Sequence, residues 1–335
     1  MQDDLLADSI EQLLAGVATP PAIRDIEGGG SPSALWNAME ESGFCDALVA
    51  EDRGGAGLGL ADVFPILEAC GRHALPLPLA QTMTARALLA RWGQAAPAGS
   101  IALAASTAAA EGRVLVGYGA VANWVLLGDG SRLALLDARE AERERLDARS
   151  IDARLRWPAG ALAKAAQLAC DVDLRSVEAC LLAAQLSGAM RQVLVATLQY
   201  ANERSQFGRS IGKFQAIQHQ LSVMAEQSEA GRMAARMACA TSDALPSPLL
   251  AAVAKARTSA AAGLVASIAH AVHGAIGITE EYDLQLRTRR LHAWRAAGGS
   301  ESYWNLRIGR ALVASGHATV PEFVRQELAA APVAA

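Results

Sequence analysis

Aromatic side chains are scarce in this sequence: they make up 4% of its 335 residues, whereas apolar residues as a whole make up 52%. Much of the apolar fraction is alanine, which has the highest helix propensity of the amino acids. Few large rings and much alanine predict a mainly helical protein in which small side chains pack the helices together. The length is enough for two or three domains.

Excess positive charge, paired cysteines and a cationic N-terminus are also missing. A net charge of −4 gives no basis for a nucleic-acid partner or an anionic membrane surface. A signal peptide needs cations near its start, but this sequence opens with Met-Gln-Asp-Asp. No Cys-x-x-Cys pair indicates a metal site, and the wide spacing of the cysteines favours free thiols in a reducing cytoplasm: Cys45, Cys70, Cys170, Cys180 and Cys239. We therefore expect a cytoplasmic protein without metal, nucleic acid or membrane.

Two stretches have structural explanations that we prefer to functional ones. Residues 258–279 lack Asp, Glu, Lys and Arg over a length that could span a bilayer. Their alanine content and terminal glycines favour a buried bundle helix that ends in a glycine turn. Residues 54–59 read Gly-Gly-Ala-Gly-Leu-Gly, but no strand leads into them and no Gly-Lys-Ser/Thr follows. They therefore favour a tight turn between helices over a phosphate-binding loop.

The spacing of apolar residues divides the chain into three parts. Residues 1–100 predict a helical domain, and residues 101–165 predict a small β domain. Residues 166–335 predict long antiparallel helices joined by short loops, which are typical of a four-helix bundle. Beyond a first long helix, the expected bundle helices span about 213–240, 248–272, 281–291 and 300–315, with one more possible at 320–328.

Several local patterns can be checked directly. An apolar stripe predicts a helix over residues 8–18, and Ser33 is expected to cap a later helix. Asp129-Gly130 lies between two β-type runs and is a hairpin signal. Residues 140–156 are dense in charge and predict a solvated surface segment. The expected strands lie at 114–116, 124–127 and 133–136.

Residues 200–220 carry the most chemistry, because one helix ends there, a short turn follows and a second helix begins. Arg204, Phe207 and Gly208 lie at the turn, and Arg209 and Lys213 add positive charge. A guanidinium is a planar fork of donors for a pyrophosphate, and a phenyl ring is a stacking surface for adenine. The pattern indicates a phosphorylated, aromatic cofactor, although a solvated arginine and a core phenylalanine explain the spacing equally well.

Residues 203–216 contain Glu-Arg-Ser-Gln-Phe-Gly, then Ile-Gly, then Phe-Gln-Ala, a pattern that resembles the signature of the acyl-CoA dehydrogenase family. The resemblance implies that FAD is the cofactor and that Arg204 holds its pyrophosphate. It implies that Gln206, Phe207 and Gln215 line the adenine side. It also implies the family's fold, which is mainly α: an N-terminal helical domain, a small β domain and a C-terminal four-helix bundle. Residues 36–78 extend the resemblance through the N-terminal domain.

The β region departs from the family pattern. Family members carry a Thr-Glu-…-Gly-Ser segment and a Trp-Ile-Thr segment that contact the flavin ring, and this sequence has neither. Residues 101–106 occupy the place of the first segment without its acidic residue or its glycine. The sequence therefore gives no support for a complete flavin-ring pocket in this chain alone.

A second cofactor contact is implied at residues 271–277. By itself, the glycine pattern there predicts a helix C-terminus closed by glycine. The family stretch reads Gln-x-x-Gly-Gly-x-Gly and reaches FAD that is held mainly by a neighbouring subunit. Here Ala271 replaces the Gln and Ala275 replaces the middle Gly, whereas Gly274 and Gly277 remain. The resemblance implies that these two glycines contact FAD and that a dimer or tetramer completes the site.

The usual catalytic base of the family is absent. Most members remove the α-proton of an acyl-CoA with a glutamate followed by Gly-Thr, and the matching stretch here places Gly298 before Gly299 and Ser300. Ser300 is expected among the cofactor-binding residues. Glycine has no side chain that could accept a proton, so another carboxylate would have to act.

Two carboxylates could substitute for the missing base. Glu301 opens the next helix, where an acid is also favoured by the helix dipole alone. Glu178 lies on the helix leading to Arg204, where some branches of the family carry their base, and it is our candidate. The alternative for Glu178 is an ordinary exposed glutamate on a helix. Ala179 replaces an arginine that usually contacts CoA.

These departures together match the smaller subunit of a heteromeric acyl-CoA dehydrogenase, in which a complete and a reduced chain share FAD. The resemblance implies an acyl-CoA thioester with a bulky acyl group, such as a steroid side chain, as substrate. It implies a larger acyl-CoA dehydrogenase subunit or a second copy of the chain as partner, and an electron-transfer flavoprotein as electron acceptor. The alternatives are a non-catalytic subunit that stabilises a catalytic partner, and a related flavin-dependent oxidase or monooxygenase.

Overall fold

The computed structural model describes residues 2–105 and 112–329, which form two compact units. The first unit contains the chain up to Ile66, together with Leu75–Leu181 and Thr241–Pro246. The second unit contains Leu67–Ala74, Leu182–Ala240 and the chain from Ser247 onward. The division of the sequence at residues 100 and 165 stays a prediction.

Helices dominate the fold, as the alanine content predicts. They are α1 (Gln2–Val17), α2 (Pro20–Glu27), α3 (Ser33–Glu41), α4 (Leu60–Arg72), α5 (Leu79–Arg91), α6 (Ala161–Lys164), α7 (Leu174–Glu203), α8 (Gln215–Ala238), α9 (Pro248–His273), α10 (Leu284–Ala296), α11 (Glu301–Ser315) and α12 (Val320–Phe323). A π-helical turn, Val324–Leu328, follows α12. The mainly α fold class, with a small β region and a C-terminal helical bundle, is therefore confirmed.

The predicted cap at Ser33 is wrong. Ser33 is the first residue of α3, and its N–H donates to the hydroxyl oxygen of Ser31 at 3.3 Å. The serine hydroxyl that accepts from an N–H group at the start of α3 is therefore that of Ser31. The first helix also differs, because α1 begins at Gln2 rather than at residue 8.

The β region contains two sheets. Its strands are β1 (Ile101–Ala105), β2 (Val114–Val116), β3 (Trp124–Gly128), β4 (Arg132–Asp137), β5 (Glu142–Arg145), β6 (Ala153–Arg156) and β7 (Ala166–Ala169). One sheet has the order β1-β3-β4-β7, with β1 and β3 parallel and the other pairs antiparallel. The other is antiparallel with the order β2-β6-β5. A core of small and branched apolar side chains lies between these strands.

The hairpin predicted at Asp129-Gly130 is confirmed. It joins β3 to β4, with Gly128 opposite Leu133. The Asp129 carboxylate accepts from the N–H groups of Ser131 and Arg132 at 2.9 and 2.8 Å. These bonds stabilise the ionised form and lower the pKa of Asp129 to about 2. The acidic residue therefore closes the turn as a carboxylate.

The solvated surface segment predicted at residues 140–156 is confirmed over residues 140–150, which are exposed or half-buried, but it is wrong for β6. Ala153 and Leu155 point into the core and are fully buried, whereas Arg154 and Arg156 are exposed. Side chains alternate between the two faces of a strand, so charged residues at every second position are compatible with a half-buried strand. Because the segment is dense in charged residues, the alternation of buried and exposed residues along β6 was not recognised in the sequence.

The glycine-rich stretch at residues 54–59 is a tight turn, as expected, and it leads into α4. The N–H of Gly59 donates to the Asp62 carboxylate at 2.8 Å, and the N–H of Gly57 donates to the Val49 carbonyl at 2.8 Å. The backbone donors at these two positions are therefore used within the turn.

In the second unit, α9 packs against α8, α10 and α11. The charge-free stretch predicted to be a buried helix ending at glycine forms the C-terminal part of α9, followed by Gly274. The observed bounds of α8, α9 and α11 lie within two residues of those predicted. The helix expected at 281–291 is displaced to Leu284–Ala296, because residues 279–283 form turns.

Two helical stretches, Leu174–Glu203 and Pro248–Ile278, are long and apolar enough to cross a bilayer by length and composition alone. Their most apolar windows are 78% and 50% buried inside the protein. Core helices of soluble proteins pass the same test, so the two stretches are weak evidence for a membrane, and the expectation of no membrane partner stays a prediction.

Candidate cofactor site

A short hairpin follows α7 and carries the central residues of the predicted site. β8 (Ser205–Gln206) pairs with β9 (Arg209–Ser210), so that Phe207 and Gly208 form a two-residue loop. Their φ angles are +52° and +80°. Positive φ at both loop residues is the mark of a type I′ turn, whose twist matches that of the strands. Glycine adopts this conformation readily, but phenylalanine does not.

Phe207 is both strained and exposed. A left-handed conformation costs a residue with a side chain about 1–2 kcal/mol. Burial does not offset this cost, since the residue is 92% exposed, and its ring meets only the edge-to-face partner Phe214 at 6.2 Å among the ring contacts of the described residues. Strained residues concentrate where a ligand needs them. An exposed ring held out by a turn is therefore a stacking surface for a planar ligand.

Cationic residues lie on both sides of this turn in the sequence: Arg204 before it, and Arg209 and Lys213 after it. The Arg209 guanidinium carbon lies 4.1 Å from the centroid of Phe214, a cation–π contact that holds the arginine beside the turn. The backbone of Arg204 is fixed on both sides, because its N–H donates to the Tyr200 carbonyl and its carbonyl accepts from the Ile211 N–H, each at 2.8 Å. The Arg204 residue is otherwise exposed. A fixed backbone with an exposed guanidinium suits an anionic ligand.

The start of α8 adds a further positive end. The helix begins at Gln215 with no side-chain cap from Phe214 and no acidic residue in its first turn, and Lys213 precedes it. Uncapped N–H groups and the helix dipole favour a phosphate at such a terminus. Gln206 and Gln215 are both exposed beside it.

These residues fit the adenosine-diphosphate half of FAD. The site offers three exposed cations for a pyrophosphate, Arg204, Arg209 and Lys213, and one exposed ring for adenine, Phe207. The structure therefore gathers the predicted residues of this stretch at a single hairpin–helix junction. Their contact with FAD stays a prediction.

The glycine loop, defined here as residues 274–278, lies at the end of α9. Gly274 has φ +66° and ψ −147°, which only glycine adopts readily, and a Cβ there would meet nothing within 4 Å. A Cβ on Gly277 would lie 2.9 Å from the Cβ of His273. Both glycines thus have structural reasons to be there, and the open side of Gly274 leaves room for a ligand. The predicted FAD contacts of the two remain predictions.

Sequence reasoning missed a cluster of three rings beside this loop. The Tyr200 ring stacks on His273 with centroids 4.3 Å apart and an interplanar angle of 24°. Tyr282 contacts both rings, at 6.1 Å from Tyr200 and 5.3 Å from His273. The residues are far apart in sequence and come from three different segments, so only the scarcity of aromatic residues could have drawn attention to them.

The turn that replaces the usual base lies between α10 and α11. Gly298 and Gly299 have φ of +66° and +117°. The Ser300 hydroxyl accepts from the Tyr303 N–H at 3.3 Å and caps α11. Glu301 forms an ion pair with Arg295, whose Nε lies 3.1 Å from the carboxylate. The structure thus gives Ser300 and Glu301 structural roles, and the cofactor role of Ser300 stays a prediction.

We expect opposite effects from alanine at two glycines near this turn. Gly299→Ala should destabilise the protein by about 2 kcal/mol, because its Cβ would lie 2.8 Å from Trp304 Nε1 and its φ is +117°. Gly309→Ala, in the exposed interior of α11 with nothing within 4 Å, should stabilise it by about 0.5–1 kcal/mol. Urea denaturation of both variants measures the two values, and a loss at both positions would contradict this assignment.

Burial lowers the pKa values of His270, His273 and His292 below the usual value for histidine. A histidine whose pKa is lowered by folding stabilises the protein fully above its unfolded pKa of 6.5 and loses that contribution as the pH falls below it. We therefore expect the free energy of unfolding to fall on acidification below pH 6.5. The 4% exposed His273 should contribute at most about 1.4 kcal/mol per pH unit.

Urea denaturation at a series of pH values between 7.5 and 5 tests this expectation. His273→Phe should reduce the slope of stability against pH, because it removes a buried imidazole whose pKa folding lowers. Equal slopes for the wild-type protein and the His273→Phe variant would show that His273 does not titrate with folding.

The candidate base Glu178 lies on the part of α7 that belongs to the first unit and is half-buried. One turn earlier, Arg175 donates to the carbonyl of Ala105, the last residue of β1, at 3.2 Å. Residues 101–105 form a core strand, and Ser106, the last residue of the expected flavin-ring segment, lies outside the described residues. The assignment of Glu178 as base stays a prediction.

A polar hollow of about 500 Å³ in the first unit offers a different kind of site. Arg86 lines it and is 6% exposed, with Nη1 donating to both Asp46 oxygens at 3.1 and 3.0 Å. Glu40 also pairs with this guanidinium. Because two carboxylates already neutralise the arginine, we assign the cluster a structural role.

Comparison with known proteins shows the family of the chain. The model of the acyl-CoA dehydrogenase N-terminal domain matches residues 2–97, and that of the C-terminal domain matches residues 176–313. Acyl-CoA dehydrogenase IpdE2 of Mycolicibacterium smegmatis is 31% identical over 86% of this chain and 92% of its own length. Its namesake from Mycobacterium tuberculosis is also 31% identical, over 86% and 90%. The chain therefore belongs to the acyl-CoA dehydrogenase family, and its relatives named acyl-CoA dehydrogenase are oxidoreductases.

Solved structures give the same fold. The ChsE4-ChsE5 complex from Mycobacterium tuberculosis has a chain that matches with a TM-score of 0.77 at 21% identity, over 93% of this chain and 97% of that one. A steroid acyl-CoA dehydrogenase, Tcur3481-Tcur3483, matches with a TM-score of 0.77 at 25% identity, over 95% and 99%. The predicted family and fold class are confirmed. Residues 98–175 lie between the two family-model matches, and the departures predicted for the β region stay a prediction.

Proposed function

We propose that this chain is the smaller subunit of a heteromeric, FAD-dependent acyl-CoA dehydrogenase. The observation that carries the proposal is the strained, 92% exposed ring of Phe207 beside three cations, in a chain with glycine at the usual position of the base. Its residues would hold the adenosine-diphosphate half of a cofactor that a larger subunit holds by the flavin end.

The chain's own residues divide the binding work. Arg204, Arg209 and Lys213 would neutralise the pyrophosphate, with the N-terminus of α8 adding backbone donors. Phe207 would stack on adenine, and Gln206 and Gln215 would donate or accept hydrogen bonds at its edge. The flavin, when bound, supplies an acceptor for the hydride that leaves the β-carbon of the thioester.

Removal of the α-proton needs a carboxylate close to the substrate. Gly298 cannot supply one, and Glu301 is engaged with Arg295. Either Glu178 of this chain or a carboxylate of the larger subunit would accept the proton. The second arrangement is consistent with a chain whose role is to complete the cofactor site of its partner.

We further propose a CoA thioester with a bulky acyl group, such as a steroid side chain, as substrate. Among the similar proteins, Tcur3481-Tcur3483 is described as a steroid enzyme, and ChsE4-ChsE5 as a complex. Electrons would leave to an electron-transfer flavoprotein, in the cytoplasm, without any nucleic-acid or membrane partner. A homo-oligomer remains the alternative assembly.

Co-expression and co-purification with longer acyl-CoA dehydrogenases of the same organism, beginning with any that is encoded beside its gene, tests the proposal. We expect a yellow complex and a colourless chain when it is purified alone. Arg204→Ala should lower the flavin content, whereas Arg236→Ala, which removes an exposed arginine near the other end of α8, should not. A yellow, fully active homo-oligomer would exclude the small-subunit assignment, and a colourless complex would exclude FAD.

The glycine at position 298 also favours a second candidate, a non-catalytic subunit that only stabilises its partner. The flavin content of the complex with Arg204→Ala separates the two, because a subunit that only stabilises its partner would leave it unchanged. Bleaching of the flavin by an acyl-CoA in the complex, followed by the same measurement with Glu178→Gln, locates the base. Loss of bleaching assigns the base to this chain, whereas persistence assigns it to the larger subunit. Oxygen consumption during turnover would instead indicate an oxidase or monooxygenase.

A further inference from the structure

One tyrosine connects the two segments that are expected to contact the cofactor. The Tyr200 hydroxyl donates to the His273 carbonyl at 3.3 Å. His273 is the last residue of α9, and the last four carbonyls of a helix have no partner within it. Tyr200 therefore caps α9 at the residue from which the glycine loop, residues 274–278, departs.

The backbone of the same tyrosine reaches the hairpin. Its carbonyl accepts from the Arg204 N–H at 2.8 Å, and the Arg204 carbonyl accepts from the Ile211 N–H at 2.8 Å, which closes the hairpin base. A continuous path of hydrogen bonds thus runs from the glycine loop through Tyr200 to the cofactor hairpin. All of these residues belong to the second unit.

The His273 ring is placed mainly by stacking. Its Nδ1 lies 2.8 Å from the Ala269 carbonyl, which can only accept, so Nδ1 carries the proton. Its Nε2 is buried and has no hydrogen-bond partner within the described part of the chain. The residue is 4% exposed, and burial lowers its pKa, which keeps the ring neutral against Tyr200.

We propose that Tyr200 and His273 are positioning residues that hold the glycine loop in register with the cofactor hairpin, so that both segments contact the same dinucleotide. This inference rests on the proposed binding of FAD. Neither residue is assigned a contact with the cofactor. The ring stack fixes the side chains, and the tyrosine hydroxyl fixes the direction in which the chain leaves α9.

The hydroxyl makes the proposal testable, since phenylalanine keeps the ring and removes only the bond to the His273 carbonyl. In the complex with the larger subunit, Tyr200→Phe should weaken FAD binding by about tenfold, the loss expected for one hydrogen bond. ADP, which occupies only the adenosine-diphosphate half, should compete less well by the same factor. Tyr303→Phe, an equal chemical change on α11, should leave both values unchanged.

Flavin fluorescence on release measures these affinities at a temperature at which every variant is folded. A purely structural role would lower the melting temperature without changing the affinity of the folded complex, so equal affinities of the wild type and Tyr200→Phe overturn the inference. His273→Ala, which removes the stacked ring, is the second variant and should weaken binding as well.

Hydrogen exchange separates failure of this inference from failure of the proposed function. In the chain without flavin, Tyr200→Phe should raise the exchange rates of the backbone amides at residues 274–278, because α9 loses its cap. If exchange is faster and the complex binds no flavin, the proposed function is wrong, but the proposed coupling of Tyr200 to the glycine loop is right. If exchange is unchanged, Tyr200 does not position the glycine loop, whether or not the complex binds FAD.

Discussion

Phe207→Asn is expected to stabilise the chain while it weakens flavin binding. The left-handed φ of +52° suits asparagine far better than phenylalanine, and asparagine followed by glycine is a preferred pair for a type I′ turn. Relief of the strain should raise the free energy of unfolding by about 1 kcal/mol. Loss of the stacking ring should weaken FAD binding by at least about tenfold, since stacking of a base on an aromatic side chain is worth about 1–3 kcal/mol.

Gly208→Ala is the matched control for Phe207→Asn. It keeps the ring but places a side chain at φ +80°, so it should lower the free energy of unfolding by about 1 kcal/mol. Urea denaturation of the chain alone gives the stabilities, and titration of the complex with FAD gives the affinities. A destabilised Phe207→Asn would mean that the ring supports the fold, and an unchanged affinity would place the ring outside the cofactor site.

A substitution that raises stability but weakens FAD binding marks the residue as a functional position rather than a structural one. A core aromatic residue contributes to stability, so its replacement lowers both stability and function. The position of Phe207 at the tip of a hairpin, 92% exposed, removes that confounding effect. The same reasoning explains why the sequence alone left a core phenylalanine and a cofactor phenylalanine as equal alternatives: the spacing of Arg204, Phe207 and Gly208 is the same in both.

Local patterns predicted the elements whose stability is local. The bounds of α8, α9 and α11 follow from apolar periodicity, and the end of α9 also follows from the glycine turn after it. Asp129-Gly130 encodes its hairpin within four residues. These signals need no partner elsewhere in the chain, so sequence reasoning recovered them.

Contacts between distant segments could not be predicted in this way. β6 is half-buried because β2 and β5 flank it, and its charged residues at alternate positions hid that strand until the pairing was known. The stacking of Tyr200 on His273 joins α7 to the end of α9. The candidate base shows the same limit, since a glutamate on a helix has no local signal that separates catalysis from solvation.

The loss of the family's carboxylate was visible in the sequence, but the reason that the turn keeps two glycines was not. Gly299 has no room for a Cβ beside Trp304 Nε1, at 2.8 Å, so the turn depends on its bare backbone. Lys255 Nζ, fully buried, donates to the carbonyls of Arg295 and Gly299 at 2.9 and 3.4 Å. The turn is therefore held by packing and hydrogen bonds although it has no side chain that could accept a proton.

The largest loss of stability is expected from Glu68→Ala, because Glu68 carries a buried charge. The residue is 3% exposed, and its carboxylate accepts from Arg232 Nε at 2.8 Å, from Arg232 Nη2 at 3.3 Å and from the Ser187 hydroxyl at 3.2 Å. Removing one partner of a buried ion pair costs about 3–5 kcal/mol. Because the Arg232 side chain is 27% exposed and can reach water, we expect the lower end of that range.

A variant in which both partners are replaced shows whether burial of the charge causes this loss. Replacing both Glu68 and Arg232 with methionine should recover most of the stability, since apolar side chains of similar size need no counter-charge. Glu301→Ala breaks a pair of the same residue types whose side chains are about 31–32% exposed, so it should cost no more than about 1 kcal/mol. If Glu68→Ala and Glu301→Ala lowered the free energy of unfolding equally, burial of the Glu68–Arg232 ion pair would not explain the loss.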